Sequence, residues 1–369
     1  MLKIKELKKV YKGKKVLITG HTGFKGTYIC VLLNYLGAKV YGYALKPENG
    51  SLYDLLASLL VKNEVFADIR DEKKLTAFMK KVKPDYIIHM AAQPLVLRGY
   101  EEPAYTYDVN VLGTVRLMEA IRKTYNVGVK HREPVSILNV TTDKVYENND
   151  LSNYAFKESD KLCGRDPYAN SKSCSELVTY AYKKSFFSDE KYFRISTARA
   201  GNVIGGGDLN ENRIIPDCYR AIKNRKAMLV RNPKSIRPYQ YVLEPLILYL
   251  NILAYQKKNA KYAGSYNIGP DKKACLTTRE LVEKFYEATA SPIRVIYKRQ
   301  KTTARHEASF LRLDNKLIKK TFGYKEIFKM KDTMRYTADI YLLMLKEQHN
   351  KKVFTTKFID YIYKIFDKM

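Results

Sequence analysis

The chain has 369 residues, 46% of them hydrophobic and 12% aromatic, which is enough to bury a large core and too apolar for a disordered chain. Its formal net charge of +29 is spread over scattered lysines in a sequence rich in Tyr, Asn and Ile and devoid of Trp, so it reads as a bias of composition rather than a nucleic-acid stripe. No apolar run is long enough to span a bilayer, and five widely spaced cysteines (Cys30, Cys163, Cys174, Cys218, Cys275) with no C-x-x-C pair argue against a disulfide framework or a metal site. A cytoplasmic protein with reduced thiols, no metal and no nucleic-acid or membrane partner is expected.

Met1 to Lys15 is lysine-rich, without the apolar core or small-residue cleavage site of a secretory signal. From Lys15 the chain reads as a short apolar strand, a glycine-rich turn and an apolar helix from Thr27 to about Leu36. Gly20, Gly23 and Gly26 give G-x-x-G-x-x-G, a variant of the dinucleotide fingerprint. The first glycine permits the tight turn, the second lets backbone approach a pyrophosphate, and the third lets helix pack on strand. The pyrophosphate would sit on the helix N-terminus, where free N–H groups and the dipole favour negative charge.

Ala38 to Leu45 reads as a second strand. A dinucleotide fold usually carries an acid at its end for the adenosine ribose. Here Gly42, Tyr43, Ala44 and Leu45 stand there, and Lys46 would suit a 2′-phosphate, so NAD and NADP both remain open. Glu64 to Ile69 is a third strand containing Asp68, followed by a helix from Glu72 to Lys81. Tyr86 to Ala92 is a fourth strand, Asn110 to Tyr125 a long helix, Pro134 to Thr141 a fifth strand, and Pro167 to Phe186 contains another long helix. Strands alternating with helices at this spacing predict an α/β, Rossmann-type, doubly wound parallel sheet. Thr19, Asp68, Ala91 and Thr142 would then share the rim at the strands' C-terminal ends. Past residue 190 the chain turns loop-rich. The expected division is a dinucleotide-binding domain over 1–190, a mainly substrate-binding lobe over 191–340 with some chain returning to the first domain, and a helical tail over 341–369.

Tyr168 and Lys172 form Y-x-x-x-K at the start of a helix, one turn apart on one face. An ammonium beside a phenol favours the phenolate and is expected to lower its pKa, so that Tyr168 can abstract a hydroxyl proton while hydride leaves the same carbon. After the fifth strand come Thr142, Asp143 and Lys144: a hydroxyl able to hydrogen-bond the same substrate oxygen, and an acid and a base at the same rim.

The strings TGHTGFKG, HMAAQPLV (89–96), NVLGT (110–114), TTDKVYEN (141–148), DPYANSK (166–172), ARAGNVIGGGD (198–208) and RNPKSIRPYQYVLEP (231–245) together resemble the extended short-chain dehydrogenase/reductase family, and within it the CDP-glucose 4,6-dehydratases, from about residue 12 to about 320. The resemblance implies an NAD-dependent lyase that converts CDP-D-glucose to CDP-4-keto-6-deoxy-D-glucose and water, in a pathway of deoxysugar biosynthesis. Tyr168, Lys172 and Thr142 would serve oxidation at C4, Asp143 would protonate the departing C6 hydroxyl, and Lys144 would be the C5 base, neutral when it acts and helped to be so by burial or by Lys172. The cofactor would meet Gly20, Thr22, Gly23, Phe24, Lys25, Gly26, Asp68, Ile69, Ala91, Ala92, Gln93, Asn110, Tyr168 and Lys172. The nucleotide sugar would meet Arg98, Asn202, Arg213, Arg237 and Arg305, with His306 and Glu307 beside the last. His21 and His89 are expected as loop and core histidines. The family also implies a homodimer or dimer of dimers. Tyr239 stands where the family has Trp, and Cys163-Gly164-Arg165 where its approach to the tyrosine is glycine-rich, which bears on the base more than on the reaction. The alternatives are a GDP-, UDP- or dTDP-linked dehydratase, a 4-epimerase, or a non-catalytic dinucleotide sensor.

Overall fold

Short Val/Ile/Leu runs such as Val16–Ile18 and Ile137–Val140 are too apolar to leave a face in water, and they become strands buried on both sides. In chain order the strands are β1 Lys15–Thr19, β2 Lys39–Ala44, β3 Asn63–Phe66, β4 Tyr86–His89, β5 Val135–Thr142 and β6 Phe193–Ala200. They continue with β7 Asn202–Ile204, β8 Met228–Val230, β9 Ile236–Tyr241, β10 Ser265–Ile268, β11 Cys275–Thr277 and β12 Val295–Tyr297. The computed structural model describes residues 1–61, 63–125, 133–149, 154–189, 191–298 and 310–369.

Seven strands form one sheet in the order β10-β6-β5-β4-β1-β2-β3, with every neighbouring pair parallel. This is the Rossmann-type, doubly wound sheet. The strand order reverses between β1 and β4, so the loops after Thr19 and His89 open a crevice there, the usual ligand position in such sheets. The chain enters the sheet twice beyond residue 190, as β6 and β10. Between and after them, β7, β9 and β11 make a small second sheet, and β8 pairs with β12.

Four boundaries differ from the sequence reading by three residues, one of them the end of β4, which stops at His89 rather than Ala92. The first helix of the dinucleotide motif runs Phe24–Tyr35 with Gly23 as its cap, so its open first turn begins at Phe24 rather than Thr27. Strand β3 stops at Phe66, short of Ile69, because Asp68 turns back onto Arg70 and Asp71 then caps the helix Glu72–Val82. The helix expected from Asn110 is preceded by a π-turn over Asp108–Leu112 and continues as Gly113–Tyr125.

Both chain ends are built into the core. The lysine-rich start holds a helix, Ile4–Tyr11, that buries Ile4, Leu7 and Tyr11 at helical spacing, and the Tyr11 hydroxyl donates to Leu250 O at 2.7 Å. Its anchor is the helix Leu243–Lys258, buried on nearly all sides and packed on β5 and β6. The last helix, Lys351–Asp367, lies across the dinucleotide-motif helix. Phe358 is fully buried, its ring 5.7 Å from that of Tyr28, and Thr355 Oγ1 donates to Leu55 O at 2.8 Å. Replacing Phe358 by Ala should therefore lower the unfolding free energy by about 3–5 kcal/mol in urea denaturation. A loss below about 1 kcal/mol would show the terminal helix to be dispensable to the core.

Candidate active site

The glycine loop is dictated by close approach. Gly20 has φ +77°, and a Cβ there would lie 2.7 Å from Ala91 N; a Cβ at Gly26 would lie 2.2 Å from Gly20 O. Neither position admits a side chain. At Gly23 the nearest atom to a Cβ is Gly20 O at 3.5 Å, and this residue caps the helix without a side chain, leaving the first-turn N–H groups open on the rim. That cradle fits a dinucleotide pyrophosphate. Thr22 donates to Leu45 O at 3.0 Å, tying the loop to the end of β2, and Phe24 packs edge-on to Tyr28 at 5.4 Å.

No acid stands at the end of β2. Tyr43 donates to the carbonyls of Asp68 and Asp71 at 3.1 and 3.2 Å. Gly42 is required because a Cβ would strike the His21 ring at 2.6 Å. His21 is fully buried, 2.8 Å from Glu64 Oε2, and burial holds its pKa low against the pull of Glu64. The Asp68 carboxylate is gripped by Arg70, which keeps it below the usual range, while Ile69 is buried against Gly113. Beyond β4, Ala91 and Ala92 line the rim, but the Gln93 side chain turns inward to Thr106 and Leu95 N. Asn110 is equally committed: it accepts from Gln93 N at 2.9 Å and donates to Ser171 Oγ at 2.9 Å. His89, between Thr19 and Thr114, is pushed down to about 3 by burial and then by Lys172.

The helix Pro167–Ser185 begins at an Asp-Pro step in which Asp166 accepts from Ala169 N at 2.9 Å, and this cap delivers Tyr168 to the end of β5. There Thr142 caps a 3₁₀ turn, Asp143–Val145, and its hydroxyl donates to Asp143 Oδ1 at 3.0 Å. Lys144 Nζ donates to the same Oδ1 at 2.9 Å and lies 3.5 Å from Asn202 Oδ1. Asp143 is 1% exposed, and its Oδ2 is buried with no hydrogen-bond partner among the described residues.

Two electrostatic expectations are corrected. Tyr168 is raised above the ordinary phenol value, because burial outweighs the opposing pull of Lys144, Thr142 and Arg213. Lys172 does not take the tyrosine as its partner; it donates to Val140 O at 3.2 Å and is pushed down to about 8 by burial, against Glu176. Lys144 is ion-paired to Asp143, and Lys172 acts on His89 and Lys25.

Lys25 reaches from the glycine loop into this centre. Its ammonium lies 5.9 Å from the Tyr249 ring and is lowered to about 7 by burial, then by Lys172 and Arg213, with Asp143 opposing. Among the arginines, Arg213 is held by Asp208 at 3.0 Å and acts on both Lys25 and Tyr168. Arg237 is buried on β9 and donates to Ile236 O at 2.9 Å. Arg98 is paired with Glu102 at 2.5 Å, half-exposed and stacked over Tyr105. Arg305, His306 and Glu307 lie outside the described residues.

Residues that sequence reasoning missed stand behind the rim. Arg199 and Glu176 form a buried ion pair at 3.0 Å. Thr141 and Thr197 donate to the same carboxylate at 2.5 and 2.7 Å, and Arg199 donates to the Tyr146 hydroxyl at 2.8 Å. Glu176 lies one further turn beyond Lys172 on the same helix face, which was a readable signal. Tyr249, whose hydroxyl is buried without a hydrogen bond among the described residues, sits in the apolar middle of the helix Leu243–Lys258 and gave none.

The model of the GDP-mannose 4,6-dehydratase family matches residues 17–337. The chain is similar to a CDP-glucose 4,6-dehydratase of Salmonella typhimurium, 36% identical over 89% of this chain and 90% of that protein. Among solved structures it is similar to an epimerase of Methanothermobacter thermautotrophicus (TM-score 0.77, 20% identity, 95% of this chain and 97% of that one). It is also similar to a dTDP-glucose 4,6-dehydratase of Streptomyces venezuelae solved with NAD (TM-score 0.71, 22% identity, 91% and 98%).

The burial of His89 carries a pH signature. The unfolded imidazole binds a proton near pH 6.5, whereas the folded one waits until about 3. The unfolded state therefore holds the extra proton in that window, and stability is lost as pH falls through it. His89→Gln should remove up to about 1.4 kcal/mol per pH unit of that slope in urea titrations below pH 6.5. An unchanged slope would mean that another group carries the acid sensitivity.

Proposed function

The chain belongs to the GDP-mannose 4,6-dehydratase family of extended short-chain dehydrogenases/reductases and is a homologue of CDP-glucose 4,6-dehydratase, and from that premise we propose that it removes water from CDP-D-glucose to give CDP-4-keto-6-deoxy-D-glucose. One observation carries the reading beyond fold. Next to the oxidation set of Tyr168 and Thr142, an acid and a base, Asp143 and Lys144, share the end of β5 at 2.9 Å. A 4-epimerase needs no C5–C6 acid and base, and a dinucleotide sensor needs neither pair.

NAD is the proposed cofactor; when bound, it takes hydride from C4 and returns it to C6. The open first turn at Phe24, Lys25 and Gly26 would hold its pyrophosphate, and the absence of an acid at the end of β2 leaves room for NADP. Tyr168 takes the C4 hydroxyl proton, and Thr142 steadies the same oxygen. Because burial raises the phenol, Tyr168 ionises only with help from the cations beside it, of which Lys144 acts most strongly. Once C4 is a ketone, the C5 proton is acidic. Lys144 removes it and Asp143 protonates the C6 oxygen, which departs as water. Arg213 and Asn202, at the mouth of the same centre, would hold the nucleotide diphosphate, with Arg237, Arg305 and Arg98 as further candidates.

Five free cysteines support a reducing, cytoplasmic setting. Among the described residues no helix is long and apolar enough to cross a membrane. Exposed Leu177 and Tyr180, at i and i+3 on the helix Pro167–Ser185, with exposed Leu112 on the π-turn that packs against this helix, support a homodimer built on this face.

Mass spectrometry of CDP-, UDP-, GDP- and dTDP-glucose, each incubated with protein and NAD, tests the reaction. The CDP sugar alone should lose one water. Loss from another nucleotide would keep the mechanism and replace the substrate, and an epimer without water loss would refute it. Tyr168→Phe should reduce C4 oxidation by about 10²–10⁴-fold. Lys144→Ala should reduce the cofactor more slowly, because Tyr168 loses the cation that acts on it most strongly, and should release no water from the keto sugar that forms; normal turnover by that variant would remove Lys144 as the base.

A further inference from the structure

The elimination just described requires Asp143 to carry a proton and Lys144 to lack one, and the structure holds the opposite arrangement, an ammonium against a carboxylate. We propose that the two groups arm each other by one direct proton transfer, from Lys144 Nζ to Asp143 Oδ1, so that acid and base are created in the same event. This rests on the dehydratase reading above and extends it to how the pair is switched.

The geometry supports the transfer. Donor and acceptor are already hydrogen-bonded at 2.9 Å, with nothing between them. The carboxylate is 1% exposed, takes hydrogen bonds only at Oδ1, from Thr142 and Lys144, and leaves Oδ2 buried without a partner among the described residues. A buried charge so poorly satisfied is costly, and neutralisation relieves it. Lys144 is still 28% exposed, so a sugar covering it removes the water that favours the ion pair. Among the described residues, Tyr168 and Lys25 act with this pair, and Arg213, itself paired with Asp208, acts on both of them. Their positive excess opposes any net gain of charge, but the transfer changes none: one N–H bond breaks, one O–H bond forms, and the pair stays neutral overall.

The elimination balances from there. The Lys144 lone pair takes the C5 proton, the C5–H electrons form the C5–C6 double bond, and the C6–O bond breaks toward oxygen. That oxygen takes the proton from Asp143 and leaves as water. Ammonium and carboxylate are thereby restored without a proton from solvent. Because Oδ1 is also the acceptor for Thr142, protonating it weakens that hydrogen bond and turns the threonine hydroxyl toward the C4 ketone oxygen as the C5 proton is removed.

The test separates coupled from independent arming. Wild type and Asp143→Asn are incubated with CDP-glucose and NAD in D₂O, and deuterium at sugar C5 is read by NMR per reduced nicotinamide formed. Without the carboxylate, Lys144 can lose its proton only to water. The variant should still reduce the cofactor, exchange C5 about a hundredfold more slowly near neutral pH, and recover about tenfold per pH unit as the solution is made alkaline. In wild type, exchange per reduced cofactor should be flat over about two pH units above neutrality. Exchange in Asp143→Asn at the wild-type rate overturns the transfer, and so does a tenfold-per-unit rise in wild type, a readout that stands even if the variant does not fold. Loss of water from wild type in the same tubes is scored separately: its absence with all four nucleotide sugars defeats the proposed reaction, whereas water loss with either overturning result defeats the proton transfer alone.

Discussion

The buried pair of Glu176 and Arg199 is the interaction on which the geometry of the rim depends. Glu176 belongs to the helix that carries Tyr168 and Lys172, and Arg199 to β6. The same carboxylate is bound by Thr141 on β5 and Thr197 on β6. Arg199 then holds Tyr146, which follows the turn bearing Asp143 and Lys144 and donates on to Asn267 of β10. One network therefore joins the helix of the oxidation pair to the strand end of the elimination pair. Such a pair adds little net stability compared with an apolar replacement, since two charges have left water, but removing one partner costs about 3–5 kcal/mol. Its value here lies in register: the helix cannot slide or rotate on the sheet without unpairing a buried charge.

Behind that network, burial sets the chemistry of four ionisable groups in and around the centre. Tyr168 is pushed up, Lys172 down to about 8, Lys25 to about 7 and His89 to about 3, each toward its neutral form. The pocket nevertheless gathers Lys25, Lys172 and Arg213 near Asp143, which already has a counter-ion in Lys144; Arg213 is paired with Asp208 and Lys172 is opposed by Glu176, which leaves Lys25 as the surplus cation among the described residues. An unbalanced positive centre of this kind is poorly solvated alone and well matched to anions. A dinucleotide pyrophosphate on the glycine loop and a nucleotide diphosphate at Arg213 would each supply the missing charge, and Lys25, rooted in the first and reaching toward the second, is placed to sense both.

Much of this could be read in the sequence because it is local. Gly20, Gly23 and Gly26 announce a backbone approach that only glycine allows, Asp166-Pro167 announces a helix start four residues before Ser171-Lys172, and the apolar runs announce buried strands. What could not be read is what depends on distant chain. Neither the docking of Ile4–Tyr11 on the helix Leu243–Lys258 nor the packing of Phe358 on Tyr28 leaves a trace in local pattern, since a lysine-rich amphipathic segment looks the same free or docked. The electrostatic expectation for Tyr168 failed for the same reason. Spacing places Lys172 one turn away, but only the fold shows that its ammonium turns to Val140 O and that desolvation outweighs every nearby charge.

Strand β5 shows how fold and reaction are connected. It is eight residues long where its neighbour β4 has four, and the excess carries Thr141 and Thr142 past the end of the β4 ladder into the crevice. β6 runs beside it over the full length, pairing Thr142 with Ala200, and only then leaves the sheet through Gly201 to begin the small sheet at Asn202. The residue nearest Lys144 from that second sheet is therefore fixed by the same ladder that fixes Thr142. A substrate held between the two sheets meets the acid, the base and Asn202 on one continuous piece of hydrogen-bonded backbone, and Tyr168 on a helix locked to it by a buried charge pair. The two halves of the proposed reaction, oxidation from the helix and elimination from the strand, would share one sugar because a buried charge pair and one strand ladder hold them in register.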